Sequence, residues 1–553
     1  MKREGVLTRW GQGWRGPLLA ALLAFLAGAP GLFAVPPLDR DESRFAQATA
    51  QMLETGDFVV IRFQDAPRFK KPVGIHWLQA ASVAAFSDAA SREIWAYRIP
   101  SLLGAMLAAA ACCWGARAFF GGGAGLAAGA ILGGGLLLST EAFIAKTDAA
   151  LCGTTTLALA ALAHLYAVGE SPRQIRLAQL LFWLGLSVAI LIKGPVAPMV
   201  VGLTLVALCL SDRSTALLGR LGWGWGVIIL AAVCGPWAGA VTVATDGGFW
   251  GAALGGDLAP KLMGGQETHG APPGYHTLLA PLLMFPSTLL LPAALAFAWR
   301  RRAEPGVRFA LCWLAPTWIA FELLPTKLVH YPLPAYGALA WLAAAALAEP
   351  IGAGARWTGV ALSALAGLAL AGGALYLFAT YGDASDVTAA AMTAGLLAAA
   401  GLVGAYMMAR GAPGAALAAA LGLGIAGHAA LAAALAPRLE PLWLSRSTEQ
   451  VMARAKLLPR QGMASAPVAV AGYAEPSLVF ALGTPTQLDG PVEAAEAVAE
   501  GRPAVVEARE DAAFRRSLAA RRAAAWMVGE ARGLDYSNGD AQTLRIYAPK
   551  ETP

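Results

Sequence analysis

Asp41-Glu42-Ser43-Arg44 sets two carboxylates and a guanidinium just after the first long apolar run of the chain, and Phe69-Lys70-Lys71-Pro72 adds two ammonium groups a short distance later. Charge beside a bilayer is costly unless something binds it. Carboxylates and basic groups gathered in one juxtamembrane loop therefore point to chemistry on an anionic, lipid-linked substrate. The same residue types have a plainer use. An Asp-Glu pair ahead of a helix caps it and complements its dipole, and interfacial lysines extend their ammonium to water. Position favours the chemical use. Lys71-Pro72, Lys146, Lys193-Gly194-Pro195 and Lys327 all stand at span ends on the side that should avoid Lys and Arg. A phosphate at that level accounts for them together. Asp148, after Ala145-Lys146-Thr147, opens the fourth apolar span, where capping and chemistry are both open to it. His269 lies in Glu267-Thr268-His269-Gly270-Ala271-Pro272-Pro273-Gly274, a stretch too rich in turn formers for a helix. It suits a ligand, an acid or a polar loop residue. His330-Tyr331 is a third such spot, whereas His164 and His428 fall within apolar spans and are expected to be satisfied internally.

The elements that hold these groups follow from hydropathy. A 553-residue chain has room for several soluble domains, but a mean hydropathy of +0.56 and 14% charged residues exclude that for most of it. Thirteen membrane helices are predicted, over 17–36, 99–116, 119–140, 149–168, 177–192, 195–211, 221–245, 276–299, 309–322, 331–348, 357–381, 387–409 and 413–436. The first follows Lys2, Arg3, Arg9 and Arg15 and reads as a retained anchor. Arginines from Arg117 to Arg410 crowd the alternate short loops, so the N-terminus is assigned to the cytoplasm and everything after Pro437 to the periplasm of a bacterial inner membrane. The division is thus 1–437, membrane, and 438–553, a soluble α/β domain. Helices are predicted there at 446–457, 491–500 and 508–524, and strands at 467–473, 477–482, 504–507, 524–529 and 543–548. The first outer loop, 37–98, is too long for a connector. Residues 42–54 fit a helix along the membrane surface, ended by Gly56-Asp57, and 75–86 a second interfacial helix. The net charge of +6 is an orientation signal and gives no pointer to nucleic acid, and the six cysteines have neither metal-ligand nor disulfide spacing. Phosphate-binding glycine loops, nucleophile elbows and HExxH are absent from the sequence.

Seven stretches in this order resemble the GT-C fold membrane glycosyltransferases, specifically the aminoarabinose-transferase-like and protein-O-mannosyltransferase-like group (glycosyltransferase families 39/83). They are Asp41-Glu42-Ser43-Arg44-Phe45-Ala46 with Gly56-Asp57-Phe58, Pro67-Arg68-Phe69-Lys70-Lys71-Pro72, Arg98-Ile99-Pro100, Thr147-Asp148-Ala149, Lys193-Gly194-Pro195, His269-Gly270-Ala271-Pro272 and Lys327-Leu328-Val329-His330-Tyr331-Pro332-Leu333-Pro334. The resemblance covers about residues 15–350. It implies a mainly α, polytopic protein that moves a sugar from polyprenyl phosphate to a lipid A-like or other envelope acceptor on the periplasmic face, with inversion. Asp41 and Asp148 are then the catalytic carboxylates. Arg44, Lys70, Lys71, Lys193 and Lys327 hold the donor phosphate, and Glu42, His269 and Tyr331 belong to the acceptor side or the loops. One position departs from the family, which often has Glu before Lys-Pro as a partner of the His-Gly-x-Pro histidine in binding a divalent metal. Here that residue is Lys70, whose ammonium repels a cation. The expectation is no cofactor, with His269 the ligand if a metal is kept, and a monomer whose partners are the donor, the acceptor and the membrane. A protein O-glycosyltransferase of the same fold is the alternative enzyme. A lipid or sugar transporter is the rival class; it would place charge near mid-membrane, whereas here charge gathers on one side.

Overall fold

The computed structural model describes residues 10–167, 169, 171–258, 270–462 and 464–550. Among the described residues eight helices are long and apolar enough to cross a membrane. We label those that bear on the site α1 (Arg15–Ala34), α2 (Asp41–Thr55), α3 (Gly74–Phe86), α4 (Ile94–Gly133), α5 (Leu136–Glu141), α6 (Asp148–Tyr166), α7 (Pro172–Lys193) and α8 (Val196–Asp212). The 40-residue α4 is two helices. Gly121, with φ 78° and ψ 176°, turns the chain back on itself, and a methyl group on Gly129 would strike the Ala109 carbonyl and Cys113. The abundance of Ala and Gly has this use in lipid: backbones approach where side chains are small. At Gly104 a Cβ would lie 2.5 Å from the Ala150 Cα, which brings α4 against α6.

The span expected at 276–299 is broken. Tyr275–Leu283 and Ser287–Arg300 meet at 116°, where Pro281 and Pro286 remove backbone donors and interrupt the helical ladder. Helices Pro305–Leu323, Tyr336–Ala346, Ala353–Tyr381, Val387–Ala409 and Pro413–Ala430 complete the bundle. The largest apolar cluster runs through its middle, around Trp313, Trp341 and Phe309.

The outer loop folds as its pattern predicts. α2 ends at Gly56 with φ 72°, a two-stranded hairpin follows (β1 Arg62–Phe63, β2 Ala66–Pro67), and α3 returns the chain to the bundle. The expected position of α2 on the lipid surface is corrected, because Gln47 and Thr49 are as buried as Ala46 and Ala50. α3 covers Thr49, whose hydroxyl donates to Gln79 Oε1 at 2.7 Å and lies 2.8 Å from His76 Nδ1, and the C-terminal domain covers Gln47. Gln47 Nε2 donates to Thr484 Oγ1 at 2.7 Å, and Phe480 enters the cluster of Ala46, Ala50, Val83 and Tyr97.

That domain has a five-stranded sheet built from β3 (Ala469–Ala471), β4 (Gln487–Asp489), β5 (Ala504–Glu507), β6 (Ala525–Leu534) and β7 (Ala541–Pro549), ordered β4-β3-β5-β7-β6. β3 pairs in parallel with β4 and β5, and β7 runs antiparallel between β5 and β6. The expected strand 477–482 is instead the helix Pro476–Leu482, buried throughout. A short, fully buried apolar run has no period to tell a strand from a helix.

Candidate active site

The first turn of α2 splits its two carboxylates. Asp41 is exposed and faces a polar cavity of about 700 Å³. Glu42, beside it on the cavity wall, is fully buried. Arg98 of α4 meets it with Nε on Oε1 and Nη2 on Oε2, both at 2.8 Å. The Ala145 and Leu38 amides donate to the same carboxylate at 2.7 Å, and Arg98 also donates to the Val35 and Pro36 carbonyls. One ion pair thereby joins the end of α1, the start of α2, α4 and the loop carrying Lys146. Glu42 touches the polar cavity as well, but its acceptor positions are taken by Arg98 and the Ala145 and Leu38 amides, so it braces the loop and offers no free carboxylate.

Six residues link this cavity to a second one. Lys70, Lys71, Asp148, Lys193, His330 and Tyr331 line both the polar cavity and an apolar neighbour of about 200 Å³. The neighbour is walled by Leu151, Val196, Phe249, Trp250, Phe321 and Leu324. Arg44 and Arg68 line the polar side only. Lys70 sits on the exposed turn before α3, and Lys71 is half-buried.

Behind these residues lies a chain of opposite charges. Lys193 Nζ is 2.5 Å from Asp148 Oδ1 and under the Tyr331 ring at 5.7 Å. Lys146 Nζ reaches Glu141 Oε1 at 3.0 Å and Asp148 Oδ2 at 3.7 Å. His330 stands between them, Nδ1 3.3 Å from Lys146 Nζ and Nε2 3.6 Å from Asp148 Oδ1. Burial, with Lys146 and Lys193 beside it and Asp148 opposing, lowers the His330 pKa to about 3. The imidazole is therefore neutral at neutral pH, and its Nδ1 accepts from the Lys146 ammonium. Burial raises Glu141 to about 7 against the pull of Lys146, and its Oε2 is buried with no hydrogen-bond partner among the described residues.

The structure thus gathers Asp41, Glu42, Asp148, Arg44, Lys70, Lys71, Lys193 and Tyr331, eight of the residues picked from the sequence. Lys327 is not among them. It is 4% exposed, lines neither cavity, and its Nζ donates to the Leu324 carbonyl at 2.7 Å. Its expected place among the phosphate ligands is corrected, since it is buried away from both cavities on the carbonyl that ends the preceding helix. His269 lies outside the described residues. His164 is satisfied internally as expected, by the Trp114 carbonyl at 3.2 Å, whereas His428 is satisfied only at Nε2, 3.1 Å from Thr140 Oγ1, its buried Nδ1 having no hydrogen-bond partner among the described residues. Sequence reading missed Glu141 and Tyr536. Glu141 carried a usable signal, a lone carboxylate at the end of the apolar run Leu136-Leu137-Leu138. Tyr536, in the C-terminal domain, carried none.

No protein-family model matches the chain. It is 28% identical over 328 residues to an undecaprenyl phosphate-alpha-4-amino-4-deoxy-L-arabinose arabinosyl transferase of Aeromonas salmonicida, the match covering 58% of each chain. It is 31% identical over 332 residues to the Pseudomonas aeruginosa protein of the same name, again over 58% of each. The chain thus matches a little over half the length of these curated relatives. Its fold matches the crystal structure of ArnT from Cupriavidus metallidurans in the apo state with a TM-score of 0.75 at 21% identity, over 96% of both chains. A second structure of that protein, bound to undecaprenyl phosphate, gives 0.72 at 20% over the same shares. The chain therefore has the GT-C fold with its small C-terminal domain, and it is a membrane protein of many apolar helices.

Proposed function

We propose that this chain is a membrane glycosyltransferase that moves a sugar of the 4-amino-4-deoxy-L-arabinose kind from polyprenyl phosphate to a lipid A-like acceptor. The observation that carries this is the pair of cavities joined at Lys70, Lys71, Lys193 and Tyr331. A polyprenyl-phosphate sugar has the same three-part form. Its first isoprene units suit the apolar cavity, its phosphate the cationic junction and its sugar the polar cavity where Asp41 stands. The names of the Aeromonas and Pseudomonas relatives supply the sugar and the lipid carrier.

The chemistry follows from charge. The bond between the anomeric carbon and the phosphate oxygen breaks, its electrons pass to the phosphate, and the acceptor oxygen bonds to the opposite face, inverting the centre. Lys70, Lys71 and Arg44 stabilise the charge that grows on the leaving phosphate, each contributing about 3 kcal/mol. Asp41 takes the proton of a hydroxyl acceptor, or orients an acceptor that is already a phosphate and has no proton to lose. Asp148 is held by Lys193 and Lys146. That fits a carboxylate that positions ammonium groups better than a base, so the two carboxylates have separate tasks.

A divalent cation does not suit the donor set described. Lys70 and Lys71 line the junction, Arg44 the adjoining wall, and the Asp148 carboxylate is already paired with lysine. No step is assigned to a metal, and Lys70 takes over its charge. The positive-inside pattern supports a bacterial inner-membrane protein with a cytoplasmic N-terminus. The C-terminal domain, packed on the loop that carries Asp41, is then periplasmic, and the protein acts as a monomer.

Mass spectrometry of lipid A from cells lacking the gene and from complemented cells tests the function. Loss and return of the mass of one aminopentose supports it. Unchanged lipid A together with a loss of protein glycans would move the acceptor to protein.

A further inference from the structure

The polar cavity has one wall that the membrane helices do not supply. Tyr536, in the turn joining β6 to β7, lines it alongside Asp39, Arg40 and Asp41. The turn holds this residue still. Asp535 N–H donates to the Asp540 carbonyl and Gly539 N–H to the Asp535 carbonyl, both at 2.8 Å. The Asp535 side chain accepts from Ser537 N–H and Gln542 Nε2, and Ser537 Oγ reaches Glu475 Oε1 at 2.5 Å. The turn is also keyed to the chain that bears Asp41. Ser477 N–H donates to Asp39 Oδ1 at 3.0 Å, and Arg40 Nε lies 3.9 Å from the Glu475 carboxylate that binds Ser537. Arg40 itself has φ 61° and ψ −93°, a conformation a non-glycine residue keeps only where its surroundings impose it.

Despite this framing, Tyr536 is 58% exposed, and its hydroxyl has no hydrogen-bond partner among the described residues. The protein at the cavity rim and then the Asp39 carboxylate push its phenol pKa up, so it is a neutral donor across the working pH range. A rigid, open aromatic face on the wall of a cavity that also holds a catalytic carboxylate is the usual means of gripping a sugar ring, whose C–H face is apolar while its rim needs hydrogen bonds.

Resting on the function proposed above, we propose that Tyr536 is a specificity-determining residue for the acceptor: its ring packs on a sugar of a glycolipid acceptor, with Arg40 beside it for an anionic substituent. The C-terminal domain is then part of the active site, its β6–β7 turn forming the wall of the polar cavity that meets the acceptor. A serine or threonine peptide, which has no ring face to offer, fits this wall poorly.

The test measures transfer kinetics of the purified full-length protein, with undecaprenyl phosphate-α-4-amino-4-deoxy-L-arabinose as donor and either lipid A or a serine/threonine peptide as acceptor. Tyr536→Ala should raise the KM for lipid A about tenfold and leave the donor KM and the affinity for undecaprenyl phosphate near wild type. Tyr536→Phe, which keeps the ring, should stay close to wild type. If Tyr536→Ala loses its thermal transition, Tyr536→Leu carries the same comparison. An unchanged lipid A KM in an active protein overturns this proposal alone, as does an equal rise in donor KM. Transfer by the wild type to the peptide and not to lipid A overturns it through the acceptor class. No transfer to either acceptor overturns the parent function and this proposal with it.

Discussion

Glu42 and Arg98 meet side by side through two 2.8 Å contacts, both side chains out of water. The pair stands one residue from Asp41 and fixes which way that carboxylate points. Breaking a buried pair by removing one partner leaves an uncompensated charge, at a cost of about 3–5 kcal/mol. Glu42→Ala and Arg98→Ala should therefore lower the Tm of the purified protein sharply without any substrate present. A Tm equal to wild type in both variants would mean that the pair does not organise the loop.

Lys70 lines the junction of the two cavities as a cation, and in the proposed mechanism it carries the charge that a metal would otherwise supply. Transfer should survive EDTA. Lys70→Glu should lower turnover, because it puts an uncompensated negative charge beside the donor phosphate, and added divalent cation should restore part of it. Complete loss of wild-type activity in EDTA, reversed by one metal, would contradict this role.

Lys193 and Lys327 are both lysines at span ends, yet only Lys193 lines the cavities. Lys193→Ala should raise the donor KM or lower kcat, since it removes the cation that pairs with Asp148. Lys327→Met should leave the kinetics of the folded protein near wild type. Equal kinetic losses in the two variants would place Lys327 in the site after all.

Local signals made much of this legible in the sequence. Asp41, Arg44, Lys70 and Lys71 stand out because charge beside apolar runs is costly, and the two helices of their loop follow from a helical period that ends at Gly56. What stayed hidden depends on partners far away in the chain. Glu42 and Arg98 are 56 residues apart, so nothing near Glu42 marks it as buried and paired. Gln47 and Thr49 read as the wet face of a surface helix until the C-terminal domain covers the first and α3 the second. Lys327 has the same neighbourhood in sequence as the other span-end lysines, and only the turn of its side chain to Leu324 sets it apart. Helix Pro476–Leu482 reads as a strand in the sequence because burial on all sides erases the period.

Asp39 gives the contact between the C-terminal domain and the loop a pH dependence. Burial first, with the Glu475 carboxylate adding to it and hydrogen bonds from Ser477 opposing, raises Asp39 from 3.8 to about 6. The folded state thus binds more protons than the unfolded chain between those values. The stability that Asp39 contributes is present below the lower value and is lost as pH rises through the upper one. Asp39→Asn keeps an acceptor for the Ser477 amide and removes the titration. Its Tm relative to wild type should be higher at pH 8 than at pH 4. A constant or reversed difference would show that Asp39 does not titrate at this contact.

The central claim is that Asp41 acts on an acceptor while the lysine junction holds a lipid-linked donor. Its most direct measurement is single-turnover sugar transfer by the purified protein from undecaprenyl phosphate-α-4-amino-4-deoxy-L-arabinose to lipid A, in wild type and Asp41→Asn. The wild type should add one aminopentose to lipid A. Asp41→Asn should keep wild-type affinity for undecaprenyl phosphate while transfer slows by about 10²–10⁴ if the acceptor oxygen carries a proton. Transfer at the wild-type rate in Asp41→Asn, or no transfer by the wild type with donor and acceptor both present, would contradict the account.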